Sequence, residues 1–148
     1  GNEKFVSING DNILSDSIRP HADAFDKGSE DARVLLFETT VDEAKKMGVA
    51  VLEGEKVTKL IEKPANPPSN WASIGVYFFK PGVFDIIRTL KPSARGELEI
   101  TDIHNTYIQQ GSLAASRITG EWLDAGSFDE LARANKIVKE WNSVHNGK

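Results

Sequence analysis

Two aspartates more than a hundred residues apart are the groups in this chain best suited to chemistry: Asp11 in Gly10-Asp11-Asn12, and Asp124 in Trp122-Leu123-Asp124-Ala125-Gly126. Each stands close to a glycine, where the backbone can turn sharply and a ligand can approach it. Their oxygens suit a hard cation such as Mg²⁺, which takes one or two protein carboxylates and completes its shell with water or phosphate oxygens. On their own, both motifs also read as ordinary turns, because Asp and Asn beside Gly are frequent turn formers. Zinc and thiolate chemistry are not expected, since the chain has no cysteine and His21, His104 and His145 are scattered without ligand spacing.

The elements that must position these groups are legible as patterns. Residues 5–8 are read as a buried strand delivering Asp11 to its C-terminal edge, the edge at which open α/β sheets bind ligands. Ile18, Ala22 and Phe25 recur at helical spacing, with Pro20 near the first turn. Residues 32–39 read as a second buried strand, and 49–52 with 56–61 as a hairpin around Glu53-Gly54-Glu55 that runs into Glu62-Lys63-Pro64. After a loop stiffened by Pro64, Pro67 and Pro68, residues 72–79 form a long apolar strand. Residues 82–90 and 101–110 are expected to be helices, the second with Thr101 as its N-cap, and 113–118 a strand. Ser127 and Glu130 form a capping box ahead of a last helix striped by Leu131, Ala134, Val138 and Trp141.

Strands and helices alternating around one hairpin predict an α/β fold whose sheet is mixed and mainly parallel, with helices on both faces. No repeat or boundary divides residues 1–148, which are read as a single domain. A central strand at residues 5–8 would need neighbours this sequence does not supply. The sheet is therefore expected to expose an edge or to associate, as a homo-oligomer or with a missing N-terminal part.

Composition narrows the classes. A chain of 148 residues, 39% hydrophobic and 27% charged, can bury one core. A formal charge of -4 argues against salt-driven nucleic-acid binding yet leaves room for a small phosphorylated ligand. The longest apolar stretches, 49–52 and 76–79, are too short for a bilayer, so no membrane partner is expected. With no cysteine and no secretory leader pattern in the first twenty residues, a cytoplasmic protein is the expectation.

The two aspartate motifs occur in an ordered series with Met47-Gly48-Val49, Glu62-Lys63-Pro64, Ser69-Asn70-Trp71-Ala72, Gly75-Val76-Tyr77-Phe78-Phe79 and Ala94-Arg95-Gly96-Glu97-Leu98-Glu99-Ile100-Thr101-Asp102. That series resembles the sugar-1-phosphate nucleotidyltransferases, and within them the branch acting on glucose 1-phosphate and dTTP. The resemblance implies a Rossmann-like nucleotidyltransferase fold, a Mg²⁺ cofactor, and a reaction that joins a nucleoside triphosphate to a sugar 1-phosphate with release of pyrophosphate. It assigns Asp11 and Asp124 to the metal and, with Lys63, to catalysis, Lys63 also binding the sugar's phosphate. It places Glu62, Gly48, Tyr77 and Asn12 at the sugar, although Tyr77 also reads as core and Asn12 as a turn residue or as the group that orients Asp11. Glu97 and Glu99 are read as favouring a helix N-terminus.

The chain departs from the family pattern at Met47, at Ala125 and at Ser73, where the family has an apolar residue beside the expected sugar pocket. Nothing here reads as the family's glycine-rich phosphate loop, so the N-terminal nucleotide-binding part is expected to be missing and the isolated chain to be inactive. The alternative from another class is a non-catalytic module or assembly subunit that binds a sugar phosphate or nucleotide sugar.

Overall fold

The computed structural model describes residues 3–145. In order, these form β1 (Phe5–Ile8), β2 (Asn12–Leu14), α1 (Arg19–Lys27), β3 (Ala32–Glu38), α2 (Val41–Ala44), β4 (Gly48–Glu53), β5 (Lys56–Glu62), β6 (Trp71–Phe79), α3 (Val83–Thr89), α4 (Ile100–Gln109), β7 (Leu113–Arg117), β8 (Trp122–Asp124) and α5 (Phe128–His145). Every residue of β6 from Ala72 to Phe79 is buried, as a run apolar on both faces requires. The main sheet has the order β5-β4-β6-β3-β7, with β1 also paired to β6, while β2 and β8 make a separate ribbon.

One face of the sheet packs Val34, Leu36, Leu60 and Phe79 against Val83 of α3 and Ile103 and Tyr107 of α4. The other packs Leu35, Ile74, Val76 and Phe78 against Phe25 of α1. Helices thus cover both faces, as the sequence predicts. His104 is fully buried in the first layer, its ring 5.2 Å from that of Tyr77, and burial pushes its pKa down to about 3, so it is neutral.

Three sequence expectations are corrected. The sheet is mixed but mainly antiparallel: β1–β6, β3–β6, β4–β5 and β4–β6 are antiparallel, and β3–β7 is parallel. A continuous apolar run is compatible with either direction, so the pattern alone does not set the sense of a strand. β1 is an edge strand whose last three residues are exposed, because it contacts only one side of β6. Thr101 is no N-cap: α4 starts at Ile100, and Thr101 is buried in its first turn. β2, α2 and β8 are too short to have shown a period.

One edge of β6 is shared by two strands. Trp71–Ser73 lie near β4, which pairs with Ala72 and Ser73, whereas β1 pairs with Val76–Phe79. Between them Ile74 and Gly75 have no strand partner on that side, and the turn between β1 and β2 fills the gap. The Asn9 N–H donates to the Gly75 carbonyl at 2.8 Å, and the Gly75 N–H donates to Asn12 Oδ1 at 3.0 Å. A Cβ on Gly75 would meet Asn12 Nδ2 at 2.7 Å and Asn9 Nδ2 at 2.6 Å, so any larger residue forces both amide side chains to move.

At the far end of the sheet, α4 closes the open edge of β5. Asn105 accepts from the Leu60 N–H and donates to the Leu60 carbonyl, both at 2.8 Å, as a neighbouring strand would. The same helix face, one turn earlier, carries Thr101 onto Gly48. Asn105→Ala leaves both Leu60 groups without their partner and is expected to lower the unfolding free energy by about 1–3 kcal/mol in urea denaturation. A change below about 0.5 kcal/mol, the scale of an ordinary surface substitution, would contradict the role of the clamp.

Candidate active site

The gap beside Gly75 opens into a cleft of about 230 Å³ lined by Asp11, Asn12, Gly48, Glu62, Tyr77 and Asp124. These are all but one of the residues singled out from the sequence, gathered from six elements or their connections. The exception is Lys63, which stands exposed just past β5 and does not line the wall. It holds a left-handed backbone, φ 41°, with its N–H donating to the Met47 carbonyl at 2.9 Å, an uncommon state for a residue with a Cβ. Its charge is still felt by Glu62.

Asn12 is the hub of the acidic end. Its Oδ1 accepts from the Gly75 N–H and from Trp122 Nε1 at 2.7 Å, and its Nδ2 donates to Asp11 Oδ1 at 2.7 Å. Two N–H donors on one atom fix which end of the amide is oxygen, so the donation to Asp11 follows from the network. Asn12 opens β2, and its N–H closes the turn before it on the Asn9 carbonyl at 3.2 Å. In the β2–β8 ribbon Asn12 lies opposite Asp124, and the Ala125 N–H donates to the Asp11 carbonyl at 2.9 Å. Asp124 Oδ1 accepts from the Gly126 N–H at 2.8 Å.

The two carboxylates share one small space. A methyl group at Gly126 would lie 3.0 Å from Asp124 Oδ1 and 3.5 Å from Asp11 Oδ2. With one oxygen of each held by the protein, the donor set is two hard carboxylates and nothing softer, which fits a divalent cation such as Mg²⁺ and leaves most of its shell open. Among the described residues no cluster of three or more His, Cys, Asp or Glu side chains could hold a metal.

The other end of the cleft is a cross-strand row. Glu62 of β5 pairs with Gly48 of β4, which pairs with Ser73 of β6. A Cβ on Gly48 would meet Thr101 Cγ2 at 2.8 Å and Glu62 Oε2 at 3.4 Å, so the glycine lets the first turn of α4 drop onto the sheet. Burial raises the Glu62 pKa, and Glu99 raises it further, against Lys63, Arg95 and a hydrogen bond with Thr101. Burial also pushes the Tyr77 phenol up to about 12, with Ser73 opposing, so it keeps its proton as a donor. Tyr77 is packed into the core and also lines the cleft.

Several lining residues were not singled out. Lys46 is the one basic side chain among those lining the cleft, where its ammonium pairs with Glu43 at 2.9 Å. Thr101 was read as a cap. Glu99, read as favouring a helix N-terminus, does not itself line the cleft but is buried beside Glu62, accepts from Ser93 at 2.8 Å and faces Arg95 at 3.7 Å. The alternation of Ser73, Gly75 and Tyr77 along β6 was the available signal for the cleft-facing side of that strand.

A family model described as nucleotidyl transferase matches residues 1–140. The low-salt glycan biosynthesis nucleotidyltransferase Agl11 of Haloferax volcanii is 40% identical over 146 residues, which are 97% of this chain and 40% of that protein. A glucose-1-phosphate thymidylyltransferase of Streptomyces griseus is 35% identical over 142 residues, covering 95% of this chain and 39% of that protein. A Bacillus anthracis protein described as a glucose-1-phosphate thymidylyltransferase, solved in complex with a sucrose, superimposes with a TM-score of 0.84 at 44% identity, over 93% of this chain and 55% of that one. This chain thus spans about half the length, or less, of the relatives it matches.

The Asn12 hub predicts a stability effect. Asn12→Ala strands the Gly75 and Trp122 donors and is expected to cost about 2 kcal/mol in chemical denaturation, with a shift in tryptophan emission. Unchanged stability and emission would show that the hub does not hold the site together.

Proposed function

Because this chain belongs to the nucleotidyl transferase family and has its Rossmann-like fold, we propose that it supplies the sugar-binding and metal-binding part of a sugar-1-phosphate nucleotidyltransferase acting on glucose 1-phosphate and dTTP. The observation that carries this reading is the convergence of Asp11 and Asp124 on one space at the mouth of a cleft whose far wall is Glu62, Gly48, Ser73 and Thr101. A divided site of this kind suits a substrate with a hydroxyl-rich end and a phosphate end.

In the reaction, an oxygen of the sugar phosphate forms a bond to the α-phosphorus of the nucleotide, and the bond between the α- and β-phosphates breaks to release pyrophosphate. The attacking oxygen is already ionised near neutral pH, so no residue need remove a proton. Bound Mg²⁺, held by Asp11 and Asp124, would supply charge neutralisation on the nucleotide phosphates. Asn12 keeps the Asp11 carboxylate turned toward that position. Glu62 accepts from sugar hydroxyls, Tyr77 donates to one, and Gly48 lets the sugar approach the backbone. Lys63, exposed at the rim, meets the phosphate of the sugar as a point cation and offsets repulsion between the two anionic substrates.

The chain covers 40% of the Haloferax volcanii relative and 39% of the Streptomyces griseus one, which supports the reading that these 148 residues alone turn over slowly. Given dTTP, glucose 1-phosphate and Mg²⁺, the chain is expected to release pyrophosphate at least about 100-fold slower than the full-length Streptomyces griseus relative, the scale set by losing preorganised phosphate donors. It is nevertheless expected to bind dTDP-glucose, and Mg²⁺ is expected to tighten that binding about tenfold, a gain that Asp124→Asn removes. An equal effect of Mg²⁺ on the wild type and on Asp124→Asn would remove the metal assignment. A Mg²⁺-independent affinity for sugar phosphate would favour the non-catalytic binding module.

A further inference from the structure

Ser73 carries an unexplained hydroxyl. The residue is 8% exposed, is the third residue of β6 and lines the cleft, and its Oγ has no hydrogen-bond partner among the described residues. It sits close enough to the Tyr77 hydroxyl to influence it, but makes no well-directed bond to it. Its cross-strand neighbours offer nothing else: Gly48 on one side has no side chain, and Leu36 on the other is apolar. A buried hydroxyl without a partner costs stability, and it persists where something outside the chain satisfies it.

The surroundings say what that partner is. Ser73 completes the row with Glu62 and Gly48, under Thr101, at the end of the cleft away from Asp11 and Asp124. That end offers the hydroxyls of Ser73 and Thr101 and the carboxyl of Glu62, and the cation beside it, Arg95 at 3.6 Å from Glu62, is already paired with Glu97 and Glu99, which suits a hydroxyl better than a phosphate. We infer that Ser73 is a specificity-determining residue whose hydroxyl bonds one hydroxyl of the bound sugar, so that the site selects a sugar 1-phosphate bearing that group over its deoxy counterpart. The inference rests on the sugar-phosphate reading above and names a discrimination that reading leaves open. A site built around a polar group rejects a ligand that leaves the group unpaired more strongly than an apolar site rejects an added hydroxyl.

The test is calorimetric titration of the full 148-residue chain with glucose 1-phosphate and its 2-, 3-, 4- and 6-deoxy analogues. In the wild type, one analogue is expected to bind about tenfold more weakly than the parent sugar. Ser73→Ala should erase that one difference by weakening the parent alone, and Ser73→Thr, which keeps the hydroxyl, should retain it. Ser73→Ala should also raise the Tm by a few degrees, because it removes an unsatisfied buried group. The same set of ratios in the wild type and Ser73→Ala, or no weakened analogue in the wild type, overturns the inference while leaving the sugar-phosphate reading intact. A wild type that binds none of the five sugars overturns that reading, and this inference with it.

Discussion

Gly75 is where the structure could have failed. Its backbone N–H and C=O face the seam where β1 ends and β4 begins, and buried peptide groups without partners are costly. The chain closes the seam with two asparagines: the Asn9 backbone takes the carbonyl and the Asn12 side chain takes the N–H. That solution leaves Asp11 between them at the lip of the cleft, and the remaining Asn12 bonds reach Asp11 itself and the indole of Trp122. Trp122 opens the strand that ends at Asp124. A repair to the sheet and the assembly of an acidic pair are thus one network, and a Cβ at Gly75 would push on the Asn12 amide that joins them.

Charge is distributed along the cleft to match. Asp11 and Asp124 stand together at one end, which without a cation is a region of like charge. At the other end, burial and Glu99 weaken the ionisation of Glu62, Tyr77 keeps its proton, and Ser73 and Thr101 add neutral hydroxyls. Lys46 on the wall and Lys63 at the rim bring positive charge close without burying it. The two environments fit the metal–phosphate end and the sugar end of the proposed reaction.

Much of this was legible in the sequence because the informative residues lie in motifs. Asp11, Asn12, Gly48, Glu62, Tyr77 and Asp124 were named from their motifs and do share a cleft. The α/β class and the helices on both faces followed from periodicity. Strand direction did not, since Trp71–Phe79 reads the same whether its neighbours run parallel or antiparallel. Thr101 was misread because a hydroxyl residue at a helix start ordinarily caps it, whereas the absence of a side chain at Gly48 draws it inward. Lys46 was passed over because an exposed lysine beside Glu43 resembles any solvated pair, and only the fold puts it on the cleft wall. Glu99 carried no signal for its burial against Arg95 and Ser93.

The central claim is that Asp11 and Asp124, held by Asn12, form a divalent-cation site at the seam. Paramagnetic broadening tests it most directly: Mn²⁺, a hard cation that binds oxygen ligands as Mg²⁺ does, is titrated into the full chain and followed in amide and indole NMR spectra. The account predicts that broadening begins at Asn9–Asn12 and Trp122–Gly126, the Trp122 indole included, before other signals change. Broadening that begins instead around Glu62 and Arg95–Glu99, or that spreads evenly over the acidic surface, would contradict it.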